Sequence, residues 1–308
     1  MIKTPTVLVL GAGASVPYGL ASGAQLREML CELPDSGYAA TFQENDLYTQ
    51  HDLEIFSREF LRSGVNSIDR FLAQQPKHQP LGKLAIAAIL CSLEQPDLID
   101  RCGRAEHWYA ALWNAMIYEV ETAQGLVGNQ VRFVTFNYDR SLEYFLHSAI
   151  SNTFGPDNGA LAGLSTAILH VYGQLGGFCA APREGGRTYT PDLSRPLLQT
   201  AAEGIRIIPE ARIDEREFLT ARAWFEWAER VFFLGFSFDP LNVLRLGLAD
   251  VAARKGRGVP AVFASVYDMT PAEVSAAASG VCGGVNFNAG RREWKCLDAL
   301  REFGTLVG

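Results

Sequence analysis

Thr6-Val7-Leu8-Val9-Leu10-Gly11-Ala12-Gly13-Ala14-Ser15 is a short apolar run that gives way to two glycines spaced by one, then to Ala14 and Ser15. The pattern predicts a buried strand over 6–10 running into a tight turn at the start of a helix over 14–31, with Leu20, Leu26, Met29 and Leu30 as core contacts. Gly11 and Gly13 lack a Cβ, so phosphates could approach the backbone closely. Free N–H groups and the positive end of a helix dipole would favour an anion there. Gly11, Ala12, Gly13, Ala14 and Ser15 are therefore candidate nucleotide-binding residues. Taken alone, the same turn also reads as one that merely packs a helix on a strand. The dinucleotide fingerprint is incomplete, because its third glycine position is Val16. No strand ending in an acid follows about 20 residues on, as a dehydrogenase needs for its ribose hydroxyls.

Working outward, strands are expected at 131–136, 167–172, 231–235 and 261–266. Strands alternating with helices predict an α/β fold, a Rossmann-like parallel sheet covered by helices on both faces. Residues 38–126 read as helical, best seen in Trp108, Leu112, Trp113, Met116, Ile117 and Val120 at three- and four-residue steps. They suggest a helical insertion within a single unit spanning 1–308. Ser67-Ile68-Asp69-Arg70-Phe71-Leu72 looks like a helix start capped by Ser67 or Asp69. Trp108, Tyr109 and Trp113 offer either an assembly surface or core, with core favoured for at least two of them. Residues 174–206 show no clear period and read as a long loop that could close over a ligand. Pro156-Asp157-Asn158-Gly159 marks another loop, and a short helix is expected at 241–249.

A net charge of −7 gives no global attraction to nucleic acid or to a membrane surface, so direct binding to either is not expected. The most apolar interior stretch, Leu84 to Leu90, is too short to span a bilayer. Six cysteines without a CxxC pair argue against a zinc ribbon and against a disulfide framework, so free thiols and no metal are expected. No secretory leader is expected ahead of the first strand, and the cytoplasm is the expected location.

Three further motifs lie at strand ends, where open α/β folds bind ligands. Thr135-Phe136-Asn137-Tyr138-Asp139 offers a hydroxyl, an amide and a carboxylate; alone it also reads as a turn that caps the helix starting near Arg140. Leu169-His170-Val171-Tyr172-Gly173 places a histidine near the end of another strand; a lone histidine is usually structural. Phe233-Leu234-Gly235-Phe236-Ser237-Phe238-Asp239-Pro240 ends in a glycine and a small hydroxyl, with Gly235 allowing close approach and Ser237 available to a phosphate or ribose. His51, His78, His107 and His147 lack ligand spacing and read as structural.

The order of these four motifs resembles the sirtuin-like family, and most closely its bacterial NAD-consuming branch. Thr135 to Asp139 is similar to the sirtuin TQNID segment, Gly235-Phe236-Ser237 to its GTS turn, and Val16 to Gly23 to the GLPSG segment of the bacterial branch, with Ala21 in place of the proline. Val171 and Tyr172 intervene where the family has His-Gly, and both the zinc module and the Asp-Phe-Arg segment of the deacylases are missing. The resemblance implies NAD as substrate and an NAD glycohydrolase that yields nicotinamide and ADP-ribose in antiphage defence. It implies catalytic roles for Asn137, Asp139 and His170: Asn137 holding the ribose or orienting water, Asp139 supporting developing positive charge or anchoring the carboxamide side, His170 accepting a proton from a ribose hydroxyl or water. Thr135, Gly235 and Ser237 would join the glycine turn in binding the cofactor. A module that senses NAD or ADP-ribose without turnover is the alternative. Control is expected from homo-oligomerisation or from a separately encoded partner, such as a DNA-translocase (HerA-type) ATPase or an Argonaute-like protein in related systems.

Overall fold

The computed structural model describes residues 1–156, 163, 166–181, 186–207, 215–255, 259–284 and 286–304. The loop expected at Pro156-Asp157-Asn158-Gly159 lies outside these residues beyond Pro156. The protein is α/β, built on a six-stranded, wholly parallel sheet. Its strands are β1 (Thr6–Leu10), β2 (Val131–Thr135), β3 (Ile168–His170), β6 (Arg230–Leu234), β7 (Ala261–Ala264) and β8 (Phe287–Ala289). A separate two-stranded ribbon holds β4 (Gly177–Phe178) and β5 (Gly186–Arg187). The order across the large sheet is β3-β2-β1-β6-β7-β8. Counting only its own strands, that is the 3-2-1-4-5-6 order of the Rossmann fold. Strand order reverses between β1 and β6, and the crevice above such a reversal is where these folds take a ligand.

β1 is buried along its whole length, as a central parallel strand must be when helices cover both faces. Alternation assigns its side chains to two cores. Val7 and Val9 join Val231, Phe233 and Val262 against the larger helical layer. Leu8 and Leu10 join Phe133, Phe232 and Leu234 against the smaller one. The larger layer includes α1 (Gly23–Cys31) and, from the insertion, α3 (Gln50–Ser63), α4 (Ile68–Gln74) and α5 (Gln79–Ser92), through Leu30, Phe56, Phe71 and Ile86. α2 (Gly37–Glu44) joins them through Phe42. The smaller layer is formed by α7 (Trp108–Ile117), α8 (Ser141–Phe154) and α14 (Cys296–Glu302), with the short α6 (Pro96–Asp100) beside them through Ile99. Trp108, Tyr109 and Trp113 are all buried on α7, so they are core and offer no assembly surface.

The expected helix over 14–31 is corrected. Two 3₁₀ turns, Ala12–Ala14 and Val16–Tyr18, end at Gly19 with φ +83°, and α1 starts only at Gly23. Ser22 and Gln25 cap α1 reciprocally, which fixes its start there. The stretch 174–206 is also more ordered than expected. Besides the small ribbon it carries α9 (Arg195–Gly204), whose Leu198, Ala201 and Ala202 are buried in the larger core. Past it run α10 (Arg216–Trp227), then α11 (Pro240–Leu246) and α12 (Leu248–Lys255), split at Gly247 with φ +63° where one helix was expected, then α13 (Pro271–Cys282). Ser67 accepts from the Arg70 N–H at 3.3 Å and caps α4, whereas Asp69 accepts from the Tyr138 hydroxyl. No helix among the described residues is long and apolar enough to cross a membrane.

Candidate active site

Register brings the four motifs to one level. Leu10 lies opposite both Thr135 and Leu234, and Thr135 lies opposite His170. The glycine turn, the Asn137 loop, His170 and the Gly235 turn therefore all leave the sheet at its carboxyl edge, around the reversal of strand order.

The two glycine turns interlock. A Cβ on Gly11 would lie 2.5 Å from the Gly235 carbonyl oxygen, and one on Gly13 would lie 2.9 Å from the Gly235 Cα. Gly235 itself has φ +55°, and a Cβ there would lie 2.1 Å from the Ala14 nitrogen. The space that Gly11 and Gly13 leave is thus filled by the chain's own backbone. Their N–H groups are engaged too: Gly11 donates to Leu234 O, Gly13 to Gly235 O, Ala14 to Gly11 O and Ser15 to Ala12 O, at 2.9–3.1 Å. The expected cradle of free N–H groups at a helix N-terminus is accordingly corrected to a closed turn, with Ala12 and Gly13 half-buried at its surface. The Gly235 N–H donates to Ser265 Oγ at 3.0 Å, which pins the second turn. Ser237 is exposed, while Phe236 and Phe238 flanking it are buried.

Asn137 lies at the centre, 9% exposed. Its backbone N–H donates to Thr135 Oγ1 at 3.0 Å. Its Nδ2 donates to Gly11 O and to Ser15 Oγ, both at 3.0 Å. Both amide hydrogens are used, and a flipped amide would set Oδ1 against the Gly11 carbonyl, acceptor against acceptor. The rotamer is thereby fixed with Oδ1 pointing away from both partners. Oδ1 is buried and has no hydrogen-bond partner. Buried acceptors are rarely left so, since an unmade bond costs about 1–3 kcal/mol.

Asp139 is scaffolding for this arrangement. Its carboxylate accepts from the Ser141 N–H at 3.0 Å and from the Ser141 hydroxyl, capping the start of α8. Tyr109 Oη lies 2.7 Å from Ser141 Oγ; because the Ser141 hydroxyl donates to Asp139, the tyrosine donates to the serine. Burial raises the Asp139 carboxyl above its ordinary range, and the hydrogen bonds from Ser141 oppose that only in part. The expectation that Asp139 faces a cation in the ligand gives way here to a capping role.

His170 has its two ring nitrogens engaged. Nδ1 lies 2.9 Å from the Asn137 carbonyl and Nε2 lies 2.7 Å from Glu143 Oε1. Burial pushes the imidazolium down, but the Glu143 carboxylate and the Asn137 carbonyl outweigh it, and the group titrates above its ordinary value. The expected proton acceptor is therefore corrected: neither nitrogen presents a free lone pair. Beyond Asp139, Glu94 is buried between Arg140 and Arg187, bonding Arg140 Nε at 2.9 Å and Arg187 Nη1 at 3.2 Å. Arg140 also donates to the carbonyls of Arg187 and Thr188 at 2.7 and 3.1 Å, which ties the 174–206 stretch to the site.

Glu143 was not among the residues that sequence reasoning selected. Its signal is an acid at a helix position three and seven residues before the buried Leu146 and Ile150, where an apolar residue belongs. In the sequence Tyr109 reads only as one of three aromatics offering an assembly surface or core, with nothing to link it to the site. No family model, curated protein or solved structure matches this chain.

Proposed function

We propose that this protein is an NAD glycohydrolase that releases nicotinamide and ADP-ribose, and that it acts as the NAD-depleting effector of a bacterial antiphage system. The observation that carries the reading is Asn137 Oδ1, a buried acceptor without a partner, held in one orientation at the carboxyl edge of a sheet ordered 3-2-1-4-5-6. An acceptor so placed suits a ribose hydroxyl or a water, both of which can donate to it. Nicotinamide leaves NAD as a neutral group from a cationic bond, so cleavage needs no strong acid. It needs support for an oxocarbenium-like ribose and a water held near it, as in glycoside hydrolysis. A fixed dipole acts there without reorganising. In this reading Asn137 touches substrate, whereas Asp139 and His170 position Asn137. Ser237, exposed beside the Gly235 turn, suits the adenosine side of NAD. Control through self-assembly or through a separately encoded partner, in the cytoplasm, belongs to the same proposal.

The engaged His170 favours a second reading, a module that binds NAD or ADP-ribose without turnover, because no free base faces the crevice among the residues described above. Incubating the purified protein with NAD and quantifying nicotinamide decides between them. Turnover that Asn137→Ala abolishes supports the hydrolase, whereas saturable NAD binding without product supports the sensor. Turnover undiminished in Asn137→Ala would refute the site.

A further inference from the structure

We infer that Glu143 is a positioning residue that keeps His170 doubly protonated, so that the imidazolium clamps the Asn137 main chain instead of exchanging protons with a ligand. Hydrogen-bond direction leads there first. The Asn137 carbonyl can only accept, so His170 Nδ1 carries a hydrogen. A neutral ring would then turn the Nε2 lone pair on a carboxylate oxygen 2.7 Å away, and a protonated ring turns an N–H there instead. Both side chains are about nine-tenths buried, at 8% and 10% exposure, so little water screens the pair.

The surroundings agree. The titratable and charged groups that bear on the pair are Asp139 on the loop before α8, Arg140 beside it and Tyr109 on α7, with Glu94 and Arg187 one layer out. Three buried carboxylates, Glu94, Asp139 and Glu143, share this region with the two guanidinium groups of Arg140 and Arg187. The imidazolium pairs with Glu143 as the two guanidinium groups pair with Glu94, and buried charges persist only when paired. Thr135 holds the Asn137 N–H and His170 holds its C=O, so the peptide that carries the unpartnered Oδ1 is gripped at both ends.

This inference rests on the reading that Asn137 presents its acceptor to NAD, and its test has two separate readouts. ¹⁵N NMR of the histidines in the ligand-free full chain reports the protonation of each ring nitrogen. Substituting His51, His78, His107 and His147 one at a time assigns the remaining signal to His170 without any variant of His170 itself. Wild-type His170 is expected to carry hydrogen on both nitrogens at about pH 7.5, above its ordinary value near 6.5. Glu143→Gln is expected to move its titration down by at least about one pH unit, a tenfold change in protonation. With NAD as the probe, nicotinamide release by Glu143→Gln should then fall at least about twofold more than wild type between roughly pH 6 and pH 8, because the neutral ring keeps its Nδ1–H on Asn137 but loses the charge that strengthens that bond, and Glu143→Asp should restore much of the difference. A wild-type spectrum with one bare nitrogen at pH 7.5, or identical titrations in wild type and Glu143→Gln, would overturn the inference. Wild-type protein that neither binds nor cleaves NAD would instead remove the proposed function, and the spectrum would still decide the ion pair.

Discussion

Replacing Asn137 by alanine should abolish the proposed NAD cleavage and cost almost none of the stability. The side chain donates two hydrogen bonds, to Gly11 O and Ser15 Oγ. Each contributes about 1 kcal/mol net, so their loss costs about 2 kcal/mol. The stronger of the two acceptors is not stranded, because Gly11 O still receives the Ala14 N–H at 2.9 Å. Against that loss, the substitution removes the partnerless Oδ1, whose burial costs about 1–3 kcal/mol. The two effects cancel to within about 1 kcal/mol, a shift in Tm of no more than about 4 °C for a chain of this size. Removing a preorganised dipole from a reacting centre should lower nicotinamide release at least about 100-fold. Thermal melts and NAD turnover on the same preparations check both numbers. Asn137→Asp is the contrast, because it sets a carboxylate oxygen against the Gly11 carbonyl and should be much less stable. A melt more than about 10 °C below wild type, or nicotinamide release kept within about threefold, would refute this role for Asn137.

Gly13→Ala should destabilise the fold by about 1–3 kcal/mol in urea unfolding, since the new methyl meets the Gly235 backbone at 2.9 Å and backbone cannot yield as a side-chain tip does. Glu94→Gln should cost about 3–5 kcal/mol by the same measurement, because two buried guanidinium groups lose their shared carboxylate. For His170 the sign follows from its raised folded-state value: its ion pair stabilises the protein fully below its ordinary unfolded value near 6.5, and that contribution fades as pH rises through the higher folded value. Urea unfolding of wild type and His170→Gln at acid and alkaline pH should therefore show a stability difference that shrinks as pH rises, and a difference that grows would contradict it.

The parallel sheet was legible because a central strand buried on both faces has to be a short, largely apolar run; β1, β6 after Arg230, and β7 are such runs, and in β2 only Arg132 interrupts it. β8 escaped because Phe287–Ala289 lies at an edge and is largely exposed, so it carries no such run. α9 escaped because only Leu198, Ala201 and Ala202 mark its buried face, behind Pro196 and among polar neighbours. At the site, motif order located Asn137 and His170, but which atoms of each stay available depends on partners that strand register supplies from far along the chain. Glu143 stands out only as an acid on the apolar face of α8, and its role is set by β3, which places His170 beside it. The glycine turn was read for its missing Cβ atoms, yet what fills that space, the Gly235 backbone, is more than 200 residues away in sequence.

Chain order makes residues 38–126 look like an excursion from the sheet, but α7 has been built into its foundations. Trp108 Nε1 donates to Ala14 O at 2.8 Å, the Tyr109 N–H donates to the Tyr18 hydroxyl at 2.8 Å, and the Tyr109 hydroxyl supports Ser141. A trimmed protein that joined Leu30 directly to Val131 would keep every strand and lose the underside of its own crevice. Any push received on the outer helices, by contrast, arrives beside Asn137 after only a few bonds: α7 to Ser141, and Ser141 to Asp139, two residues along the same loop from Asn137.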